Sequence, residues 1–157
     1  MRRVILLLIF ISGLISIDSF SKYYVVSTDS GKYVSIFWEY LWLQLSYNHG
    51  IAFSLPITGL PLQILTILII IGLFFYYTRY EYPKNSRYID MGFGLIFSGA
   101  LSHAYERIFL GYVVDFISVK YFAILNFADI FISVWGFLLL LIYINEEINQ
   151  KRKNSLL

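Results

Sequence analysis

Four stretches of this chain, 4–26, 60–80, 88–109 and 124–145, are mostly apolar. Each is close to the ~20 residues that a helix rising ~1.5 Å per residue needs to cross a hydrocarbon core of ~30 Å. The chain as a whole agrees, with 59% hydrophobic and 14% charged residues, against about 45–50% and about 25% in ordinary soluble domains. The expected fold is an all-α membrane protein. It has four transmembrane helices and a small β-sheet or amphipathic element between the first and second, within one integral membrane domain, 1–157.

The first stretch has a rival reading. "MRRVILLLIFISGLISI" has the basic start and apolar core of a secretory signal peptide. No small-x-small cleavage site follows, and apolar character resumes at "FSKYYVV", so a retained helix is expected. Basic residues then set the orientation. Arg2 and Arg3 precede the first stretch, Arg79, Lys84 and Arg87 lie between the second and third, and Lys151, Arg152 and Lys153 follow the fourth. Four spans put all three clusters on one side, which the positive-inside rule makes cytoplasmic. Segments 27–59 and 110–123 then face outward. Within the first of these, "LWLQLSYNHGIAFSL" alternates bulky and polar residues as far as Asn48, as a strand does, and turns at His49-Gly50. Rings gathered where apolar runs end, such as Tyr23, Tyr24, Trp38, Trp42, Tyr76 and Tyr77, suit a membrane–water interface.

Some chemistries are excluded at once. There is no cysteine, so disulfides and thiol catalysis are out, and two histidines make a His-rich metal site improbable. The net charge of +2 carries no argument about nucleic acid, because the basic residues sit at segment ends and form no patch. No nucleic-acid partner is expected.

The polar residues inside apolar surroundings are few. A charge at the centre of a spanning helix costs about 2.5–3.5 kcal/mol on insertion scales, so such groups face a bundle interior and mark function by default. Asp115 lies just after the third stretch and Asp129 just inside the fourth, at one depth on the outer side. Two carboxylates a few Å apart cannot both ionise readily; one keeps a proton while the other acts as base, which suits amide hydrolysis. The plain alternative is an ion pair, or for Asp129 a helix-start carboxylate favoured by the dipole. Asp18 and Lys22, spaced i,i+4 in acid-first order, read as a structural pair. Gly99, His103, Glu106 and Arg107 share one helix face, with small Gly92 and Ser102 near it, which reads as close packing beside an inward polar cluster.

Taken in order, these motifs resemble those of the bacterial lipoprotein signal peptidases (signal peptidase II). "DSFSK" (18–22) is similar to a D-x-x-[ST]-K motif and "NHGIAFS" (48–54) to N-x-G-x-A-F-S. "ERIFLGYVVDFI" (106–117) resembles D-R-x-x-x-G-x-V-V-D-F-I, and "NFAD" (126–129) resembles N-x-A-D. The resemblance covers nearly the whole chain. It implies an aspartic endopeptidase of the bacterial inner membrane, multi-pass, with both termini cytoplasmic. Its substrates would be prolipoproteins already diacylglyceryl-modified on the lipobox cysteine, cut on the N-terminal side of that cysteine. By position, Asp115 and Asp129 become the catalytic dyad. Asn48, Arg107 and Asn126 become substrate-binding or supporting residues, and Asp18 and Lys22 support from the first helix. No metal or organic cofactor is implied, membrane lipids are the other partners, and the chain is expected to act as a monomer with a periplasmic sheet cradling substrate.

One box departs from the pattern. Where G-N-x-x-D-R is usual, this chain reads "SHAYER", and Leu125 replaces the Phe usual before N-x-A-D. His103 and Glu106 are therefore expected to tune packing and substrate fit, outside proton transfer. The alternative class is a diverged non-catalytic or transporter-like four-helix membrane protein with an intramembrane Asp pair. No Gly/Pro-broken helix pair and no inverted repeat supports it.

Overall fold

The computed structural model describes residues 1–28, 34–50 and 58–154. Helix α1 (Arg2–Thr28) leads to strands β1 (Val34–Phe37) and β2 (Leu41–Asn48), and then to helix α2 (Gly59–Tyr76). Helix α3 (Arg87–Phe109), strands β3 (Val113–Val119) and β4 (Ile124–Leu125), and helix α4 (Phe127–Asn154) complete the order. The helix of α2 does not stop at residue 80 as expected. It continues through a π turn (Tyr77–Glu81) and a 3-10 turn (Tyr82–Lys84), and ends where Asn85 takes a left-handed φ of 53°.

Three helical segments, Arg2–Thr28, Gly59–Lys84 and Phe127–Arg152, are long and apolar enough to cross a membrane. Helix α3 is different in kind. It packs against α1, α2 and α4 and buries twelve residues, among them Asp90, Ser98, Ser102, His103 and Glu106. By contrast, the 27 residues of α1 bury only Asp18 and Lys22. Apolar side chains such as Leu6, Leu8, Ile9, Ile64, Leu68 and Phe137 point outward while charged ones point in. That inversion of the soluble pattern is what a lipid solvent selects, since apolar surface costs nothing there and polar groups must find partners. The molecule is a multi-pass membrane protein.

The core at one end consists of Tyr77, Ile89, Phe93, Phe97 and Leu139. It is closed by Arg3, whose guanidinium binds Asp90 with two bonds (Nε to Oδ2 2.5 Å, the terminal nitrogen to Oδ1 2.6 Å) and also reaches the carbonyl of Tyr82 at 2.9 Å. Arg3 was read from sequence only as a topology charge; here it ties the start of α1 to the start of α3.

Glycines on α3 let its neighbours approach. A Cβ at Gly92 would fall 1.1 Å from the Trp135 indole nitrogen, and one at Gly99 would fall 2.5 Å from the carbonyl oxygen of Ala128. The second contact is with backbone, which cannot swing aside. Gly99→Ala is therefore expected to push the first turn of α4 outward, at a cost of about 1–3 kcal/mol as for other overpacked cores. Thermal unfolding in detergent checks this, and an unchanged midpoint would contradict the close approach.

The sheet is larger than the sequence suggests. Its order is β1-β2-β3-β4, all antiparallel. The segment between α3 and α4 thus supplies half the strands, pairing with the segment between α1 and α2. Gly111, with φ of 80°, makes the left-handed turn that ends α3 and launches β3. Residues 124–125, expected in the fourth helix, pair with β3 instead, and α4 starts at Phe127. The predicted strand before His49 is β2, ending at Asn48 as expected.

Candidate active site

Pairing of β2 with β3 sets the site. Asn48 lies opposite Val113 and Ser46 opposite Asp115, so Asn48 and Asp115 are diagonal neighbours on one face. The Asn48 side-chain amide donates to Asp115 Oδ2 at 3.1 Å, while its own oxygen accepts from the Gly50 amide at 3.0 Å. From the far side, Asn126 Nδ2 donates to Asp115 Oδ1 at 2.6 Å and reaches the Val114 carbonyl at 3.3 Å.

Asn126 also organises Asp129. The Asn126 amide N–H donates to Asp129 Oδ2, and the Asp129 amide N–H donates to Asn126 Oδ1, both at 3.0 Å. This is a reciprocal capping box at the start of α4. The helix-start reading of Asp129 is thus correct as structure, yet Oδ1 remains available. His103 Nε2 lies 3.4 Å from it. Asn126 is fully buried and Asp115 is 4% exposed, whereas the Asp129 side chain keeps 29% of its surface accessible. One asparagine therefore joins a buried carboxylate to an open one.

Burial, with the nearby negative charge of Asp129 second, pushes the Asp115 carboxyl up to about 6, against the smaller opposing effects of the Asn48 and Asn126 hydrogen bonds and of Lys22.

Behind the pair lies a buried charged network. Lys22 Nζ sits 2.7 Å from Asp18 Oδ2 and 2.6 Å from Glu106 Oε2. Asp18 Oδ1 accepts the Ala128 amide at 3.0 Å, and the Ser102 hydroxyl donates to Asp18 Oδ2. Asp18 on α1 thereby caps a free N–H in the first turn of α4, a service a helix start normally takes from its own chain neighbours. Glu106 Oε1 accepts the Val114 amide at 3.2 Å, which anchors β3. The i,i+4 pair expected from the sequence is present, and Glu106, expected to tune packing and fit, is the second carboxylate on Lys22. Ser102, expected as a small packing residue, joins the network through Asp18.

Arg107 reaches toward α2 and the end of β2. Its terminal nitrogens contact the Thr66 hydroxyl and the Gly50 carbonyl, both at 3.4 Å, and Gln63 donates to its backbone carbonyl at 2.8 Å. Its Nε is buried with no partner among the described residues. Gln63 and Thr66 carry no sequence signal of this role. Of the "NHGIAFS" motif, residues 51–54 lie outside the described residues. Among the described residues no three His, Asp or Glu side chains converge as metal ligands.

The chain is similar to known proteins along most of its length. The family model for signal peptidase (SPase) II matches residues 10–145. A lipoprotein signal peptidase of Clostridium novyi is 35% identical over 147 residues, covering 89% of this chain and 97% of its own. One from Streptococcus pneumoniae is 29% identical over 153 residues, covering 95% and 99%. A bacterial membrane enzyme solved by the in meso method at 2.3 Å superposes with a TM-score of 0.80 at 24% identity, covering 91% of this chain and 90% of that one, which shows a shared fold. With the family model spanning most of the chain and relatives matched along nearly their full length, the chain belongs to the signal peptidase II family of membrane peptidases.

Proposed function

We propose that the chain is an aspartic endopeptidase that removes signal peptides from diacylglyceryl-modified prolipoproteins, cutting N-terminal to the lipidated lipobox cysteine. The observation that carries it is the bridge made by Asn126 between buried Asp115 and open Asp129. Asp129, facing the water side, takes a proton from the attacking water. Asp115 gives its proton to the carbonyl oxygen as the water oxygen bonds to the carbonyl carbon. In the second half Asp129 passes its proton to the leaving amine of the lipidated cysteine, the C–N bond breaks, and Asp115 recovers a proton from the collapsing diol. The buried Nε of Arg107 suits a substrate carbonyl beside the dyad. Purified protein is expected to cut a lipidated lipobox peptide with no partner; no cleavage under conditions where it binds would favour the transporter-like reading.

The active form holds one proton on the pair, and Asp115 carries it. Above about 6 that proton is lost from the free enzyme. We therefore expect kcat/KM to fall about tenfold per pH unit on the alkaline side, as it does when an essential acid of the free enzyme ionises. A profile flat through neutral and alkaline pH would contradict the assignment of Asp115 as the acid.

We place the protein in the bacterial inner membrane with four spans, α3 being the polar, protein-surrounded one, and both termini in the cytoplasm. The basic ends support this, as do exposed Phe37, Trp38, Tyr40 and Tyr121 on the sheet, which suit the outer interface. We also take the chain to act as a monomer. In intact cells, Tyr121→Cys is expected to react with a membrane-impermeant thiol reagent and Lys151→Cys to react only after lysis. The reverse pattern would overturn the orientation.

A further inference from the structure

The imidazole of His103 is 3.3 Å from Asn126 Oδ1 and 3.4 Å from Asp129 Oδ1, both through Nε2. The orientation of the Asn126 amide is settled by its surroundings. Its Nδ2 faces two acceptors, Asp115 Oδ1 and the Val114 carbonyl, while its Oδ1 takes the Asp129 N–H. Nε2 of His103 therefore meets two oxygens that can only accept from it, so Nε2 carries the hydrogen. Neutral His103 is then a donor to both Asn126 and Asp129. The side chain is held between α3 and the first turn of α4 with only 11% of its surface accessible.

We propose that His103 is a positioning residue of the dyad that titrates with it: neutral, it holds Asp129 through Nε2–H, and protonated, it weakens Asp129 as a base. The charges around the ring are Asp129 on α4, Lys22 on α1 and Arg107 on its own helix, with neutral Asn126 against Nε2; Asp115 on β3 is joined to it through Asn126. A proton on Nδ1 leaves the Nε2 hydrogen in place but sets a positive charge beside the Asp129 carboxylate. A carboxylate next to an added positive charge gives up its own proton more readily and takes one from water less readily. Protonation of His103 then adds a proton-dependent loss on the acid side of the cleavage profile.

The inference rests on the dyad reading, and one experiment separates the two. kcat/KM for a diacylglyceryl lipobox peptide is measured between about pH 4 and about pH 8 for the full chain, His103→Asn and His103→Phe, with substrate binding followed on the same preparations. Asn supplies an N–H donor that does not titrate. His103→Asn should keep cleavage at the optimum within about threefold, while its acid limb becomes shallower on a logarithmic plot. His103→Phe should bind substrate, lose about tenfold or more in kcat with little change in KM, and show the same shallower acid limb. An acid limb identical in slope and position for wild type and His103→Asn overturns the inference while leaving the dyad reading intact. So does undiminished kcat in His103→Phe. Loss of the dyad reading shows itself separately, as an active Asp115→Asn or Asp129→Asn enzyme.

Discussion

Asp129→Asn is expected to lower kcat by at least about 10³-fold, or ~4 kcal/mol at the barrier, the upper part of the range for a general base. The substitution is almost isosteric. Its amide oxygen still accepts the Asn126 N–H that Oδ2 accepts now, so the capping box of α4 survives in one direction and the Asp129 backbone N–H still reaches Asn126. What disappears is the carboxylate that, on the proposed mechanism, takes a proton from water on the more accessible side of the site. Asp115→Asn should be equally inactive but less stable than Asp129→Asn. Asp115 accepts an amide N–H on each oxygen, from Asn48 and from Asn126, and an Asn there turns one acceptor into a donor facing a donor. That unmade buried bond costs about 1–3 kcal/mol, partly offset by removing a carboxylate that burial and Asp129 already disfavour. The measurements are cleavage of a lipidated lipobox peptide and its binding, with melting temperatures of both variants. Near-normal turnover in either variant would end the dyad mechanism.

The pair itself was legible because a carboxylate within an apolar run has few innocent explanations. Its surroundings were not. β3 is a run of β-branched and aromatic residues, "VVDFISV", whose period does not separate a buried strand from a helix end. Only its antiparallel pairing with β2, some 70 residues earlier, shows that Asp115 stands on a sheet. Glu106 and Lys22 are 84 residues apart in the chain, and neither residue type says which cation meets which acid across two helices. His103 was assigned to packing and fit. Its nearness to Asp129 depends on the crossing of α3 and α4 that Gly99 permits, a tertiary fact with no local signature. Three apolar helices announced themselves by composition. Helix α3 was found by length but is of another kind, since its glycines, serines and charges are shielded by the other three.

Lys22→Met is expected to be the most destabilising single change outside the dyad. Lys22 is 5% exposed and sits between two buried carboxylates, Asp18 and Glu106. Removing the one cation leaves two acids facing each other in a poorly solvated interior, and breaking a buried ion set this way typically costs about 3–5 kcal/mol. For a chain of this size that lowers the melting midpoint by roughly 10 °C. The damage should reach the site, because Asp18 holds the Ala128 amide before Asp129 and Glu106 holds the Val114 amide before Asp115. A triple variant, Asp18→Asn, Lys22→Met and Glu106→Gln, tests the cause. It removes all three charges while keeping oxygen acceptors for both backbone amides, and neutral replacements of buried ion sets are often no less stable than the original. The triple variant should therefore melt within a few degrees of wild type, well above Lys22→Met alone. The pH profile of the single Lys22→Met variant should also differ. Lys22 is among the groups that hold the Asp115 carboxyl down, so without that cation Asp115 keeps its proton to higher pH and the alkaline limb of kcat/KM moves upward. A Lys22→Met protein as stable as wild type would show that the two carboxylates are not compensated by this lysine. A Lys22→Met protein with an unmoved alkaline limb would show that Lys22 acts on the fold and not on the field at Asp115.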